Sequence, residues 1–258
     1  MEKNMFKFTE KARVLVVIVI AGLAILLASC KGPAGPQGVA GSPGAPGTEF
    51  SASFQQGVWP DPSYTGTSDS FIVDALANTN YGACQSVYVG VDNSVNSVYR
   101  GVFRFDVTSI IPQNVQVTNA YMTLYPSTSS GQVTITAYPL TRYFSEGSGT
   151  CAGVDNTIFQ DLVTWTKVWI TPGGDFGSAP VSNTVYYDSN TGGFYPQVFN
   201  LDNATVQNWI ANPVANYGVI LKAANENTGT NYMGFISRND AIFAVTNRPK
   251  LTVYYKLP

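Results

Sequence analysis

The chain beyond Thr48 reads as an all-β sandwich or barrel, and three observations lead there. Short runs rich in Val, Ile, Tyr, Phe and Thr recur roughly every ten residues, separated by clusters of Gly, Asn, Pro and Ser. Several runs alternate with a period of two: in QVTITAY at 132–138, Val133, Ile135 and Ala137 face one way and Thr134, Thr136 and Tyr138 the other. Only one segment, 203–211, carries helical spacing, with Asp202 or Asn203 able to cap its start, Val206, Trp209 and Ile210 on one face, and Pro213 to stop it.

The elements are taken in chain order. Residues 1–13 carry Lys3, Lys7, Lys11 and Arg13, and 14–29 are uncharged and apolar, which is the form of a secretory signal. Sixteen apolar residues fall short of the ~20 that a bilayer demands, although tilt and local thinning keep a membrane span as the competing reading. Leu27-Ala28-Ser29-Cys30 resembles the lipobox of bacterial lipoproteins. That resemblance implies cleavage before Cys30, lipidation of its sulfur and new amino terminus, and a protein lipid-anchored at the cell surface. Lys31 in place of Asp then implies the outer membrane in a cell that has two.

Residues 30–47 follow with Gly32, Gly35, Gly38, Gly41, Gly44 and Gly47 at every third position and Pro33, Pro36, Pro43 and Pro46 between them. Glycine at this spacing is what the axis of a collagen triple helix requires. The run is short, so it is read either as part of a homotrimer helped by the rest of the molecule or as a spacer. Extended, it spans on the order of 50 Å at ~3.1 Å per residue; as a random coil it averages about 22 Å. In both cases it is a stalk.

Residues 48–258 are then one domain of ordinary size. The strands expected are 70–74, 85–89, 99–106, 120–125, 132–139, 162–170, 185–187, 197–200, 218–223, 233–237 and 250–255. The order of motifs within it resembles the DNRLRE (disaggregatase-related) domains, classed among carbohydrate-binding modules. The resemblance rests on DALANTNYGACQSVYVG at 74–90, RGVFRFD at 100–106, VTNAYMTLY at 117–125, YFSEGSGT at 143–150, TW at 164–165, TPGGDF at 171–176, VQNWIANPVANYGVILKA at 206–223, SRND at 237–240 and RPKLTVYY at 248–255. It departs at Phe144, where Trp is expected, and at Cys151. It implies a jelly-roll-like antiparallel β-sandwich that binds polysaccharide without catalysis, or that serves as a structural or adhesive surface subunit.

The chemistry of the residues agrees with a binding protein. The chain has no histidine, and no Gly-x-Ser-x-Gly elbow, Walker loop or Cys-x-x-Cys pair occurs. Glu49, Glu146 and Glu226 with eleven aspartates include no motif that selects a catalytic pair. Once 1–29 are removed, Lys plus Arg falls from 14 to 10 and Asp plus Glu from 16 to 14, so the mature chain is mildly acidic and nucleic acid is not an expected partner.

Alternation in 100–106 places Arg100, Val102, Arg104 and Asp106 on one face and Gly101, Phe103 and Phe105 on the other, inner face. Arg100 and Arg104, with Lys222 and Arg238 if the sheet gathers them, are candidates for the carboxylates of an acidic polysaccharide. An internal ladder in which Asp106 pairs an arginine is the competing reading. Tyr81, Tyr138 and Tyr217 are candidates for stacking on sugar rings. Asp69, Asp74, Asp92 and Asp202 are candidate oxygen ligands for a structural calcium ion, against the alternative that each bonds its own turn. Cys84 and Cys151 either form one disulfide, closing a loop of about 67 residues, or stay as two thiols.

Overall fold

The computed structural model describes residues 47–108, 110–155 and 162–258. The leader, Cys30 and the Gly-X-Y run up to Pro46 lie outside the described residues. Among those described, the strands are β1 (Glu49–Gln55), β2 (Thr67–Val73), β3 (Thr79–Asn80), β4 (Ser86–Asp92), β5 (Ser97–Phe105), β6 (Gln116–Leu124), β7 (Pro126–Ser130), β8 (Gln132–Pro139), β9 (Val154–Asp155), β10 (Val185–Asp188), β11 (Gln197–Asn200), β12 (Val219–Ala223), β13 (Thr230–Ile236) and β14 (Lys250–Lys256). The helix α1 is Asn203–Ala211.

All strand pairs are antiparallel, and the molecule is an all-β sandwich. One sheet runs β1-β14-β6-β11 and the larger one β10-β8-β12-β5-β4-β13-β7, with β2 on the free side of β5. Register follows the hydrophobic alternation, because a slip of one residue would turn Phe54, Val253 and Met122 out of the core. The larger sheet folds back on itself at the β4–β5 hairpin. β4 pairs with β5 only from Gly90 to Asp92, while farther along the same edge of β5 the partner is β12. Gly101 permits the fold-back: a Cβ there would stand 2.8 Å from Val87 Cγ1 and 3.0 Å from Val89 Cγ2. The hairpin turn is set by Asp92 Oδ1, which accepts from Ser94 N, and by Asn96 at φ 50°.

The main core joins Phe54, Phe103, Met122, Ile135, Phe199, Leu221 and Phe235, all fully buried. Helix α1 adds Val206, Trp209 and Ile210 to it. Asp202 is the cap: its carboxylate accepts from Thr205 N, which satisfies one of the orphan amides of the first turn.

A second core was not anticipated. Ile72, Val102, Leu140, Phe144, Val163, Trp169 and Ile220 are buried together on the opposite face of β2, β5 and β12. The partition of residues 100–106 between two faces holds, but the Val102 face is covered rather than wetted. The cover comes from the long connection after β8, and that corrects the strand expected at 162–170. Val163 and Trp169 are buried as a strand reading requires, yet only Leu162 makes a bridge, with Ser145. The backbone turns instead, with Trp169 Nε1 donating to Thr164 O, Lys167 N donating to Thr164 Oγ1, and Val168 at φ 65°. Phe144 fills this core at 0 % exposure. Strands β1, β3, β7 and β9 are additions to the expected set.

Candidate functional site

The cations of the sequence reading divide between the two faces of β2 and β5. Arg100, on the Val102 face, is clamped by Glu226: Nε donates to Oε1 at 2.9 Å and Nη2 to Oε2 at 2.6 Å. Its Nη1 donates to Gly173 O at 2.7 Å, and the guanidinium lies 4.7 Å over the Trp165 ring. Lys222 reaches the same Glu226 Oε2 at 4.0 Å and covers Phe176. Burial, and then the nearby Arg100 charge, hold its amine below the ordinary lysine value.

Arg104 lies farther along the same face. Its guanidinium sits 4.7 Å over the exposed Tyr143 ring, and Nη2 makes one long contact of 3.5 Å to Ser68 Oγ. Among the described residues no carboxylate lies within ion-pair distance of it. Asp106 is not its partner, since that carboxylate accepts from Thr108 N and Oγ1. Arg238 joins neither residue. Its backbone N–H donates to Asp69, which faces the main core with Phe71, and its side chain forms an ion pair with Glu146. The structure thus brings Arg100 and Lys222 together around Glu226 and leaves Arg238 on the other face.

Two of the sequence motifs prove to be one interlocked unit. In NYG at 80–82, the buried Asn80 donates to Glu146 O and Val163 O, and accepts from Gly82 N and Gly149 N. Contact is so close that a Cβ on Gly82 would stand 2.0 Å from Glu146 O, and one on Gly149 1.9 Å from Asn80 O. A disulfide joins Cys84 to Cys151 immediately beyond this lock, across a separation of 67 residues. Glu146, now fixed, accepts from Asn239 Nδ2 as well as from Arg238.

The lock holds Tyr81 against Phe71, their rings stacked at 4.4 Å. Around this pair β4, β5 and β13 deliver Tyr88, Tyr99 and Tyr232. Tyr88 stands edge-on to Phe71 at 5.2 Å and lies 5.8 Å from Tyr99, and Tyr232 lies 6.1 Å from Tyr88. The five rings line a cleft of about 560 Å³, with Leu76 and Val95 on its exposed rim and Asp92, Ser97 and Cys151 in its wall. A volume of this size, aromatic lining and a few placed polar groups are the ordinary attributes of a small-molecule or oligomer site. Burial pushes the Tyr81, Tyr88 and Tyr99 phenols above their ordinary value, so all three present neutral hydroxyls.

Sequence reasoning singled out Tyr81 and missed the rest. Tyr88, Tyr99 and Tyr232 each sit in a strand where period-two alternation equally allows a core position. The other two tyrosines singled out, Tyr138 and Tyr217, are half-buried against the second core and do not reach the cleft.

The four aspartates considered for calcium lie in four separate hydrogen-bond settings. Asp69 accepts from Ser237 Oγ and Arg238 N, Asp74 from Ala75 N and Val98 N, Asp92 from Ser94, and Asp202 from Thr205. Among the described residues no group of three or more His, Cys, Asp or Glu comes together as a metal-ligand set.

Comparison with known families bears on this geometry. Residues 61–150 match the family model for carbohydrate-binding module family 96, which supports a carbohydrate-binding-module domain. The matched segment carries four of the five cleft aromatics, Phe71, Tyr81, Tyr88 and Tyr99, and both Arg100 and Arg104. No curated protein matches the chain.

Proposed function

We propose that this protein binds polysaccharide without catalysis at the tyrosine-lined cleft, and that it does so from the cell surface. Lipidation at Cys30 would anchor it, in the outer membrane where a cell has two, and the Gly-X-Y run would lift the sandwich off the lipid. The observation that carries the reading is the convergence of Phe71, Tyr81, Tyr88, Tyr99 and Tyr232 on one open cleft, largely within the segment matched by a carbohydrate-binding-module model. Sugar rings have apolar C–H faces and polar edges. Tyrosine has the matching character, an apolar ring with a hydrogen-bonding tip.

The test is retardation of the full chain in affinity gels containing a panel of polysaccharides, compared with Tyr232→Ala. Binding lost at an unchanged melting temperature supports the cleft. Binding that survives the substitution removes it as the site.

A second reading keeps an acidic polysaccharide on the opposite face, favoured by one observation: among the described residues the Arg104 guanidinium has no carboxylate partner, and it lies on the exposed ring of Tyr143. Arg100 is a poorer candidate, because Glu226 and Gly173 already take its donors. Arg104→Ala should abolish salt-sensitive retention on a polyuronate gel if that face binds. A self-associating surface subunit remains the alternative role, drawn from the glycine repeat. Replacing Gly38 and Gly41 by Ala should dissociate trimers seen by light scattering if collagen pairing contributes, and leave the mass unchanged if the run is a spacer.

A further inference from the structure

We infer that the Cys84–Cys151 disulfide is a redox-controlled clasp on the tyrosine cleft. Intact, it fixes one wall; reduced by a dithiol, it lets that wall open and weakens glycan binding while the sandwich stays folded. The inference rests on the cleft being the glycan site. Cys151 is itself part of the cleft wall, and the bond ties it to the strand-side residue Cys84 in the main core. Two residues on, the backbone of Gly153 lies against Tyr81. A Cβ there would stand 3.0 Å from Tyr81 Cε1 and 2.4 Å from Thr79 Cγ2, and its φ of 77° favours glycine. Tyr81 therefore meets Phe71 through its ring face, at 4.4 Å, and the segment behind Cys151 through its edge.

The two parts of the 146–155 loop are fastened differently. Residues 146–149 are keyed in by the buried Asn80 side chain, and Ala83 N donates to Gly149 O, bonds that do not depend on the disulfide. Beyond them Thr150, Cys151, Ala152 and Val154 are exposed. Among the described residues, the hydrogen bonds that tie 150–155 to 79–85 are the two-residue β3–β9 pairing and Gln85 N to Cys151 Sγ. So short and exposed a ladder belongs to the low-stability end of a fold, and the covalent bond is what holds it. Cutting that bond frees 150–155 and leaves the Asn80 lock and the main core in place.

The two sulfurs also differ in access. Cys84 is 2 % exposed, so the thiolate of a dithiol attacks Cys151 Sγ. A mixed disulfide forms on Cys151, and Cys84 leaves as a thiolate that takes up a proton. The second sulfur of the reductant then attacks its own first sulfur, closes a disulfide within the reductant and releases Cys151, which is protonated in turn. Two electrons and two protons thus pass from the dithiol to the protein. Gln85 N–H, 3.3 Å from Cys151 Sγ, stabilises the departing thiolate. In the reduced protein each binding event has to order the wall and the Tyr81 edge again, and that ordering is subtracted from affinity.

The experiment measures the full chain at 10 °C on affinity gels of alginate, β-glucan, xylan and mannan, oxidised, reduced with dithiothreitol, and reoxidised. Reduction should expose two further titratable thiols per chain and weaken retention on the bound polymer at least fivefold, with near-UV circular dichroism and cooperative unfolding preserved. Amide exchange should quicken in 150–155 but not in β4, β5 or β13, and reoxidation should restore both exchange and binding. Cys84→Val/Cys151→Ser is the companion variant: valine keeps the buried site apolar, so this chain should fold, bind as weakly as the reduced form and ignore reductant. Retention equal in the oxidised chain, the reduced chain and this variant, yet lost in Tyr232→Ala, overturns the clasp and leaves the cleft as the site. Global unfolding of both the reduced chain and the variant likewise overturns the clasp, since the bond then serves the whole fold. Retention indifferent to Tyr232→Ala, or no retention on any gel, overturns the cleft and the clasp together.

Discussion

Raising the pH from about 4 to 7 should weaken the fold through one buried carboxylate, Asp69. The side chain is 1 % exposed, and burial pushes its pKa from 3.8 up to about 7, with repulsion from Glu146 adding to the rise. Hydrogen bonds from Arg238 N and Ser237 Oγ, both at 2.7 Å, and the Arg238 charge offset part of this. In the intermediate pH range the folded state therefore holds a proton that the unfolded chain has released. Stability is fully present below the unfolded value near 4 and is lost as pH rises through about 7. Each tenfold change in a proton equilibrium is about 1.4 kcal/mol, so the whole displacement amounts to about 4 kcal/mol. With a urea slope near 2 kcal/mol per molar, the unfolding midpoint should fall by roughly 2 M over that range. Burial raises the Glu146 value as well, so it acts in the same direction.

The assay is urea unfolding at half-unit pH intervals for wild type and Asp69→Asn. The amide can still accept from Arg238 N, and the Ser237 hydroxyl can turn to accept from the amide nitrogen. The variant should thus fold and lose most of the slope, and the difference between the two curves isolates this group from the other carboxylates. A wild-type midpoint that climbs from pH 4 to 7, or an equal decline in the variant, would refute the reasoning.

Three further outcomes follow from the same geometry. Replacing Cys84 and Cys151 together by Ser should cost roughly 2 to 4 kcal/mol, seen as a melting temperature lowered by about 5 to 15 °C with no further drop on adding reductant. Arg104→Ala should leave the melting temperature nearly unchanged, whereas Arg238→Ala, which strands Glu146 and Asp69, should cost about 3 kcal/mol by urea titration. Glu226→Gln should cost about 1 to 2 kcal/mol, because Arg100 and Lys222 then face each other without their shared counter-ion; the loss should shrink in 1 M salt, as unfolding at two ionic strengths will reveal.

Much of the sandwich was legible because strand and helix signals are local. Alternation over a few residues located Gln132–Pro139 and Gln197–Asn200 at the observed bounds, and a cap followed by an apolar stripe located Asn203–Ala211. The apolar composition of 162–170 was equally legible, but whether a buried segment pairs as a strand or turns over a sheet face is settled by its neighbours rather than its own period.

The candidate site lay beyond sequence for the same reason. Tyr88, Tyr99 and Tyr232 meet because β4 pairs with both β5 and β13, while Tyr81 is pressed onto Phe71 by a lock whose halves are Asn80 and the loop at 146–149. The arginines were identifiable as residues, but their partners were not. Glu226 stands 126 residues from Arg100, and Glu146 stands 92 from Arg238. By itself the sequence determined which residues could be buried and which could carry charge, since hydropathy and period are properties of a short stretch. Only the tertiary structure decided which tyrosines share a cleft and which cations are already spent, since both depend on strand register and sheet fold-back between segments far apart in the chain.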